Sequence, residues 1–197
     1  MREDLEVIEE INDGNLFLRK ISKSDAEFFL NSLNEKDITN YLSLGPLRTI
    51  EHSKRLLRSY LKYWDNYLQF NYIIELHEVN QVKIGSISLW NVNWQHHRAQ
   101  VGIWLIPSFW SKGLAEKSIN LIKVIAFRHL KINRLEAFIA LENKRSIFLF
   151  KKCGFKEEGT LKHYLNFQGI YHDAVILACL RKKINRNNLF INIRSSF

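Results

Sequence analysis

The 197-residue sequence has few residues that constrain a chain covalently or sterically, with two prolines, two cysteines and eight glycines. No Pro-rich, Gly-rich or repetitive stretch divides it, which favours one folded domain and excludes collagen-like and repeat architectures. Cys153 and Cys179 lack the spacing of a metal site or a disulfide framework, so we expect buried thiols and no metal. Because 46% of the residues are hydrophobic, the chain can bury a core.

Long apolar runs are also missing, and no stretch approaches the roughly 18 residues that a membrane-spanning helix needs. The segment Met1 to Glu10 carries five acidic residues, where a signal or transit peptide carries basic ones. We therefore expect a soluble cytoplasmic protein without membrane contact.

The formal net charge of +9 is concentrated at the C-terminus. From Arg181 onward there are five basic residues and no acidic ones. We predict an N-terminal extension at 1–15, a domain at 16–182 and a basic tail at 183–197. Two interpretations of the tail stay open, namely contact with ribosomal RNA or another acidic partner, and a solvated end that aids solubility.

Apolar periodicity predicts an alternation of strands and helices in the first half of the chain. A strand at Asn15–Lys20 precedes a helix that Ser24 and Glu27 introduce at capping-box spacing. The apolar steps of three and four residues between 49 and 68 predict a long amphipathic helix. An antiparallel meander follows, with strands predicted at 70–76, 82–90 and 99–106.

The second half predicts a parallel crossover that closes a mixed sheet. Its helices and strands are predicted at 112–130, 135–141, 144–152, 155–162 and 173–180, and a polar, aromatic loop joins the last two. The fold class is therefore α/β (α+β), with a mixed, mostly antiparallel central sheet and flanking helices. The sheet must splay near Ile106 and Ala140, and open α/β sheets bind ligands at such points.

The loop after Pro107 has the features of an anion site. It leads from a strand into a helix, whose first amides have no internal partners and carry partial positive charge. Gly113 and Ala115 leave room for a diphosphate to approach them. A structural interpretation stays open, because Gly113 could simply serve the turn.

A second element lies about thirty residues downstream. Asn143 follows a buried strand at an N-cap position, and Gly154 is placed to end the helix, with Phe155 packing after it. Neither residue needs a function by itself.

Together, these segments resemble the GNAT superfamily of acetyl-coenzyme A dependent N-acetyltransferases. Its Q/R-x-x-G-x-G/A loop corresponds to Trp110–Ala115, and its N-x-x-S…G-F element to Asn143, Ser146, Gly154 and Phe155. Trp110 replaces the usual Gln or Arg, as in the Rim-type branch, which includes enzymes that acetylate the N-termini of ribosomal proteins. Three further stretches are similar to that branch, at 15–21, 102–105 and 168–173. The resemblance runs from about 16 to 182.

The resemblance implies a GNAT-like sheet that splays at the coenzyme-binding strands, with acetyl-coenzyme A as co-substrate and no metal. The backbone of Leu105 and Ile106 would pair with the pantetheine, and Asn143 would bond it. Ser146 would contact the thioester and donate a proton to the leaving sulfur; a Ser three residues into a helix can also simply bond the cap. The resemblance assigns the diphosphate to the loop Trp110, Ser111, Lys112, Gly113, Leu114 and Ala115.

The general base is not evident in the sequence. Several relatives place a carboxylate near Gln100, which is an amide here and takes no proton at neutral pH. At pH 7 about 10% of an α-amine is neutral, against less than about 0.1% of a lysine amine. This favours a protein N-terminus, with Ala or Ser first, as the acceptor.

Substrate contacts are predicted at Trp90, Trp94, His163 and Tyr164, which packing alone could also explain. Two alternatives to the N-terminal acetyltransferase stay open. One is an enzyme for a polyamine, an aminoglycoside or an amino sugar, which would need an acidic cleft. The other is a non-catalytic module that binds coenzyme A or RNA. Monomer and homodimer are equally compatible with the sequence.

Overall fold

The computed structural model describes residues 5–44, 46–77, 80–181 and 192–195. Among them, nine strands form one sheet in the order β7-β8-β6-β5-β4-β3-β2-β1-β9. The strands are β1 Ile8–Asp13, β2 Leu16–Lys20, β3 Phe70–His77, β4 Gln81–Asn93, β5 Arg98–Leu105, β6 Arg134–Ala140, β7 Lys156–Phe167, β8 Ile170–Leu180 and β9 Asn192–Ser195. The α-helices are α1 Ala26–Ser32, α2 Lys36–Thr39, α3 Ile50–Asp65, α4 Leu114–Val124 and α5 Lys144–Lys152. All neighbouring described strands are antiparallel except β5 and β6. The predicted fold class is confirmed.

The helices cover the sheet through two apolar clusters. In one, α1 and α3 pack Phe29 and Leu57 against Ile73 of β3. In the other, α4 and α5 contribute Ile119 and Phe150. The predicted amphipathic helix is α3, whose N-cap Thr49 accepts a hydrogen bond from the His52 amide at 3.1 Å.

The crossover from β5 through α4 to β6 produces the parallel pair. Only Arg98 to Gln100 of β5 pair with β6, opposite Arg134 to Glu136. Beyond these residues β5 stays paired with β4, and β6 stays paired with β8. The two strands therefore diverge, and the sheet opens where the splay was predicted.

Both ends of the chain contribute to the sheet. β1 lies within the segment assigned to an extension, and its Ile8 and Ile11 are fully buried in the core. β9 lies within the segment assigned to the tail and pairs antiparallel with β1. Residues 182–191, which carry most of the basic tail, lie outside the described residues, so both interpretations of the tail stay predictions.

Two local predictions need correction. The capping interaction before α1 uses Ser22 and Asp25, whose carboxylate accepts from the Ser22 amide at 2.8 Å, in place of Ser24 and Glu27. The segment predicted as a long aromatic loop is mostly strand, because β7 and β8 continue to a tight turn at Gln168 and Gly169.

Candidate active site

A cavity of about 850 Å³ opens where β5 and β6 diverge. Its wall includes the start of α4, the start of α5, Asn71 of β3, alternate residues of β4 from Ser86 to Trp90, and the stretch of β5 from Gln100 to Leu105. Ten of the predicted site residues line it, namely Trp90, Leu105, Trp110, Ser111, Gly113, Leu114, Ala115, Asn143, Ser146 and Tyr164. Both predicted segments, thirty residues apart in sequence, therefore meet at one cavity.

The free edge of β5 is presented by Ile103 and Leu105. The Ile106 amide donates to the Ile84 carbonyl at 2.9 Å, and the Ile106 carbonyl accepts from the Phe109 amide at 3.0 Å. Because successive residues of a strand direct their backbone groups to opposite edges, those of Leu105 and Ile103 face the gap. The prediction that the Ile106 backbone pairs with a ligand therefore does not fit, since its amide and carbonyl are bonded within the chain, and the free edge consists of Ile103 and Leu105.

The N-terminus of α4 presents amides without protein partners. The first intrahelical bond runs from the Lys117 amide to the Gly113 carbonyl at 3.1 Å. In the part of the chain that the structure describes, no protein group accepts from the amides between Ser111 and Glu116. Gly113 has φ of 76°, a left-handed conformation that favours glycine, and nothing lies within 4 Å of a Cβ built there. The cluster of donors is open and suits a diphosphate.

The Trp110 side chain connects this loop to β5 by a hydrogen bond. Its indole N–H donates to the Leu105 carbonyl at 2.7 Å, and the Arg145 guanidinium lies 3.5 Å from its ring centroid. Trp110 thereby connects β5, the loop and α5. It also occupies the Leu105 carbonyl, so the edge groups left for a ligand are the Leu105 amide and both groups of Ile103.

Cations lie around the same end of the cavity. The Lys112 ammonium lies 5.1 Å from the centroid of the Phe109 ring, and Lys112 does not line the cavity wall. Arg145 and Lys152 do line it, and Lys152 pairs with Glu116 at 2.7 Å. Arg145 is therefore a stronger candidate than Lys112 for a cationic contact with a diphosphate at the α4 amides.

The start of α5 contributes Asn143 and Ser146 as predicted. The Asn143 side-chain oxygen accepts from the Ser146 amide at 3.1 Å, which establishes Asn143 as the N-cap. No described protein group bonds the Ser146 hydroxyl, so this hydroxyl stays available in the cavity. At the other end of α5, Gly154 has φ of 85°, and the Phe155 amide donates to the Phe150 carbonyl at 3.1 Å. This is the Schellman ending that the sequence predicts.

The floor of the cavity is a polar sheet face that the sequence analysis missed apart from Gln100 and Trp90. Residues on one face of three strands form it, together with Gln69 just before β3, namely Gln69, Asn71, Ser86, Ser88, Trp90, Gln100, Gly102 and Trp104. Asn71 lies opposite Ser88 in the register, and Ser88 lies opposite Gly102. The sequence does indicate this polar face, because polar residues alternate with apolar ones in strands whose two faces are both buried.

Of the four predicted substrate residues, two line the cavity. Trp90 stands on the floor, and Tyr164 stacks on Phe138 with ring centroids 4.9 Å apart. Trp94 instead packs against the core and donates to the Tyr67 carbonyl at 2.9 Å. His163 lies outside the cavity wall, where its ring faces Tyr171 at 6.2 Å.

The site therefore fits coenzyme A. The amides at α4 suit its diphosphate, the free edge of β5 suits an extended arm, and the Ser146 hydroxyl lines the same cavity. Among the described residues, no group of His, Cys, Asp and Glu side chains is arranged to hold a metal ion. None of the described helices is long and apolar enough to cross a membrane.

These features define an acyltransferase of the GNAT type. The family model "Acetyltransferase (GNAT) domain" matches residues 15–156, and the chain belongs to this family. Acetyl-coenzyme A is its co-substrate, as GNAT structures with bound CoA or acetyl-CoA indicate.

Relatives of the chain differ in the acceptor that their names give. A spermidine N(1)-acetyltransferase from Vibrio cholerae is 27% identical over 176 residues, which are 89% of this chain and 99% of that protein. YdaF of Bacillus subtilis, provisionally named a ribosomal N-acetyltransferase, is 30% identical over 99 residues, which are 50% of this chain and 54% of that protein.

Solved structures share the fold. The V. cholerae spermidine N-acetyltransferase in complex with CoA and spermine has a TM-score of 0.76 at 26% identity, covering 86% of this chain and 97% of that chain. Mycobacterium smegmatis RimJ in complex with CoA-disulfide has a TM-score of 0.78 at 19% identity, covering 88% and 86%. The likeness to RimJ concerns the fold alone.

Proposed function

We propose that the chain transfers acetyl from acetyl-coenzyme A to the N-terminal α-amine of a protein, and that ribosomal proteins are among its acceptors. The observation that carries this proposal is the neutral character of the cavity. Two carboxylates, Asp37 and Glu116, are found among its described lining residues, and Glu116 is already paired with Lys152. Neutral amides, hydroxyls and aromatic rings make up much of the remaining wall.

A polycationic acceptor needs carboxylates to replace its water, whereas a peptide N-terminus carries a single charge that it must lose before reaction. Asp173 lies outside the cavity wall, and its carboxylate is engaged by another side chain. A hydrogen bond from Lys162, at 2.7 Å, lowers the pKa of Asp173. It therefore offers little to an acceptor amine.

In the proposed reaction the acceptor attacks directly, in a ternary complex. Bound acetyl-coenzyme A supplies an activated acyl thioester. The amine nitrogen forms a bond to the acetyl carbon while the carbon–sulfur bond breaks, and the proton that the amine loses balances the one that the sulfur gains.

The chain's own residues position the reactants and move that proton. The α4 amides hold the diphosphate, and the free edge of β5 with Asn143 aligns the extended arm. Ser146 donates from its hydroxyl to the sulfur. Gln100 offers no proton acceptor, so an amine that is already partly neutral at pH 7 reacts with the least assistance.

A second candidate acceptor is a polyamine. The V. cholerae relative supports it, because that relative is named a spermidine acetyltransferase and aligns along most of this chain. Aminoglycosides and amino sugars belong to the same class of small amines.

If proteins made by the ribosome are the acceptors, as proposed, the reaction takes place in the cytoplasm.

Thiol release from acetyl-coenzyme A tests both candidates. The acceptors are short peptides that begin with Ala, Ser or Met and contain no lysine, the same peptides with formylated N-termini, spermidine and an aminoglycoside. At pH 7 we expect kcat/KM for a free N-terminus to exceed that for spermidine at least tenfold, and the formylated peptides to be inert. A preference for spermidine would establish the alternative, and thiol release with none of the amines would favour a non-catalytic module.

A further inference from the structure

One buried polar atom at the cavity has no partner. The side-chain nitrogen Nδ2 of Asn71 makes no hydrogen bond, and it is the only such atom among the buried side chains that the structure describes. Asn71 is 3% exposed and lines the cavity floor. A buried donor without an acceptor costs about 1–3 kcal/mol, so the fold retains this amide at the expense of stability.

The Asn71 amide is held in one orientation. Its oxygen accepts from Gln69 Nε2 at 2.9 Å, which leaves the nitrogen as the group without a partner. The neighbouring floor positions are small, since Ser88 lies opposite Asn71 and Gly102 lies opposite Ser88. A Cβ built on Gly102 would come no closer than 3.8 Å to Trp90. The Asn71 amide therefore lies among small residues of the cavity floor, and its buried nitrogen is the group there that lacks an acceptor.

An unpartnered N–H requires an acceptor atom on the ligand. A peptide N-terminus has such an atom two bonds from the amine-bearing carbon, in the carbonyl oxygen of its first residue. A polyamine has no oxygen, and its protonated nitrogens are donors only. The neutral character of the cavity and the unpartnered Asn71 nitrogen therefore both favour a peptide N-terminus as the acceptor.

We propose that Asn71 Nδ2 donates to the carbonyl oxygen of the acceptor's first residue and thereby selects α-aminoacyl acceptors. This inference rests on the proposed N-terminal acetyltransferase function. The bond fixes the direction of the amine relative to the thioester, and Gln69 acts through Asn71 by holding its amide plane.

A pair of acceptors isolates this hydrogen bond. One is a short peptide that begins with Ala, and the other is the same molecule with its first carbonyl replaced by a methylene group. The methylene compound also has a more basic amine, so the ratio of the two kcat/KM values is compared between enzymes. The wild type is compared with Asn71→Val, Asn71→Asp and Asn120→Ala, the last a control at an exposed position on α4.

We expect Asn71→Val to reduce the preference for the carbonyl-bearing acceptor about tenfold, as the loss of one hydrogen bond implies. Asn71→Asp replaces the donor with an acceptor and is expected to reduce the preference further and to improve kcat/KM for spermidine. Asn120→Ala is expected to keep the wild-type ratio. Calorimetric binding of coenzyme A to each variant verifies that the site is folded.

The outcomes separate the two proposals. If the wild type acetylates the peptide and both Asn71 variants keep its ratio, the role of Asn71 is overturned and the proposed function stands. If the wild type does not acetylate the peptide, the proposed function fails, and the inference fails with it.

Discussion

Strand β3 carries two buried polar residues, Asn71 and Glu75, whose surroundings differ. Glu75 accepts from Arg19, His77 and Gln81 at 2.8, 3.2 and 2.5 Å. Asn71 has one partner through its oxygen and none through its nitrogen. The fold itself supplies three hydrogen-bond partners for the Glu75 carboxylate, as a structural group requires. It leaves the Asn71 nitrogen without an acceptor, which the proposed substrate would provide.

The charged cluster around Glu75 extends to Asp25. Asp25 pairs with Arg19 and Lys83, each at 2.7 Å, and its side chain is fully buried. Burial acts to raise the pKa of Asp25, but hydrogen bonds from Arg19, Lys83 and the Ser22 amide outweigh it and lower the pKa to about 2. The ionised form therefore stabilises the folded state.

Removing that charge is expected to have the largest effect on stability. Asp25→Asn leaves Lys83 and part of Arg19 without their partner, and we expect the free energy of unfolding to fall by about 3 kcal/mol at pH 7. Since the folded pKa is depressed, the wild-type contribution is present above pH ~4 and is lost as pH falls toward 2. Urea denaturation of both proteins between pH 7 and pH 2 measures this difference.

The matched control for that change is Asp65→Asn at an exposed position on α3. It is expected to change the free energy of unfolding by less than about 0.5 kcal/mol. A constant gap between wild type and Asp25→Asn down to pH 2 would contradict the assignment of the effect to this carboxylate.

The second change tests the open donors at α4. Gly113→Val introduces a branched side chain at φ of 76°, where it is strained, and displaces the amides that hold the diphosphate. We expect the affinity for coenzyme A to fall about 50-fold by calorimetry, or about 2.3 kcal/mol.

Gly14→Val is the control, since Gly14 has φ of 66° and equally open surroundings in the turn between β1 and β2. It imposes similar strain far from the cavity. If Gly14→Val weakened the binding of coenzyme A as much as Gly113→Val does, backbone strain alone would account for the loss at Gly113.

The third change removes the unpartnered hydroxyl of Ser146. Ser146→Ala keeps the backbone amide that bonds Asn143, so the start of α5 is preserved. We expect kcat to fall about 100-fold and the affinity for coenzyme A to change less than about threefold. Ser59→Ala, on the exposed face of α3, is the control, and an unchanged kcat in Ser146→Ala would assign proton donation to another group.

The smallest expected effect concerns stability at Asn71. Asn71→Val removes a buried donor that has no partner and also the hydrogen bond from Gln69; because the unpaired donor costs more than that bond contributes, the free energy of unfolding is expected to rise by about 1 kcal/mol. Thermal denaturation without ligand measures this. A loss as large as that of Asp25→Asn would mean that Asn71 is a structural residue like Glu75.

The sequence predicted most of the fold because the central elements have regular apolar periods. The helix at 144–152 was predicted with its bounds, and the three meander strands appear as β3, β4 and β5. β1 was missed because its buried residues Ile8 and Ile11 are three apart, and a register shift between Ile8 and Glu10 breaks the alternation. β7 was predicted as a strand only up to Lys162, and the register shift between Leu161 and Leu165 explains why its last residues were interpreted as a loop.

The site was predictable where its chemistry depends on local sequence. Gly113 and Asn143 act through backbone conformation and capping, which neighbouring residues largely determine. The use of Ile106 by β4, the core position of Trp94 and the orphaned nitrogen of Asn71 depend on strand pairing and on contacts between distant segments. Periodicity carries no information on those contacts.

The divergence of β5 and β6 after three paired residues has a consequence for the dynamics of the free protein. The amides of Ile103 and Leu105 face the gap, where no described strand pairs with them, so we expect their hydrogens to exchange with deuterium sooner than those of the paired neighbour β4. A bound ligand that forms hydrogen bonds with this edge slows the exchange, because it takes the position that a neighbouring strand would have in the sheet. Occupancy and folding stability are then linked, so the melting temperature rises with the logarithm of the coenzyme concentration.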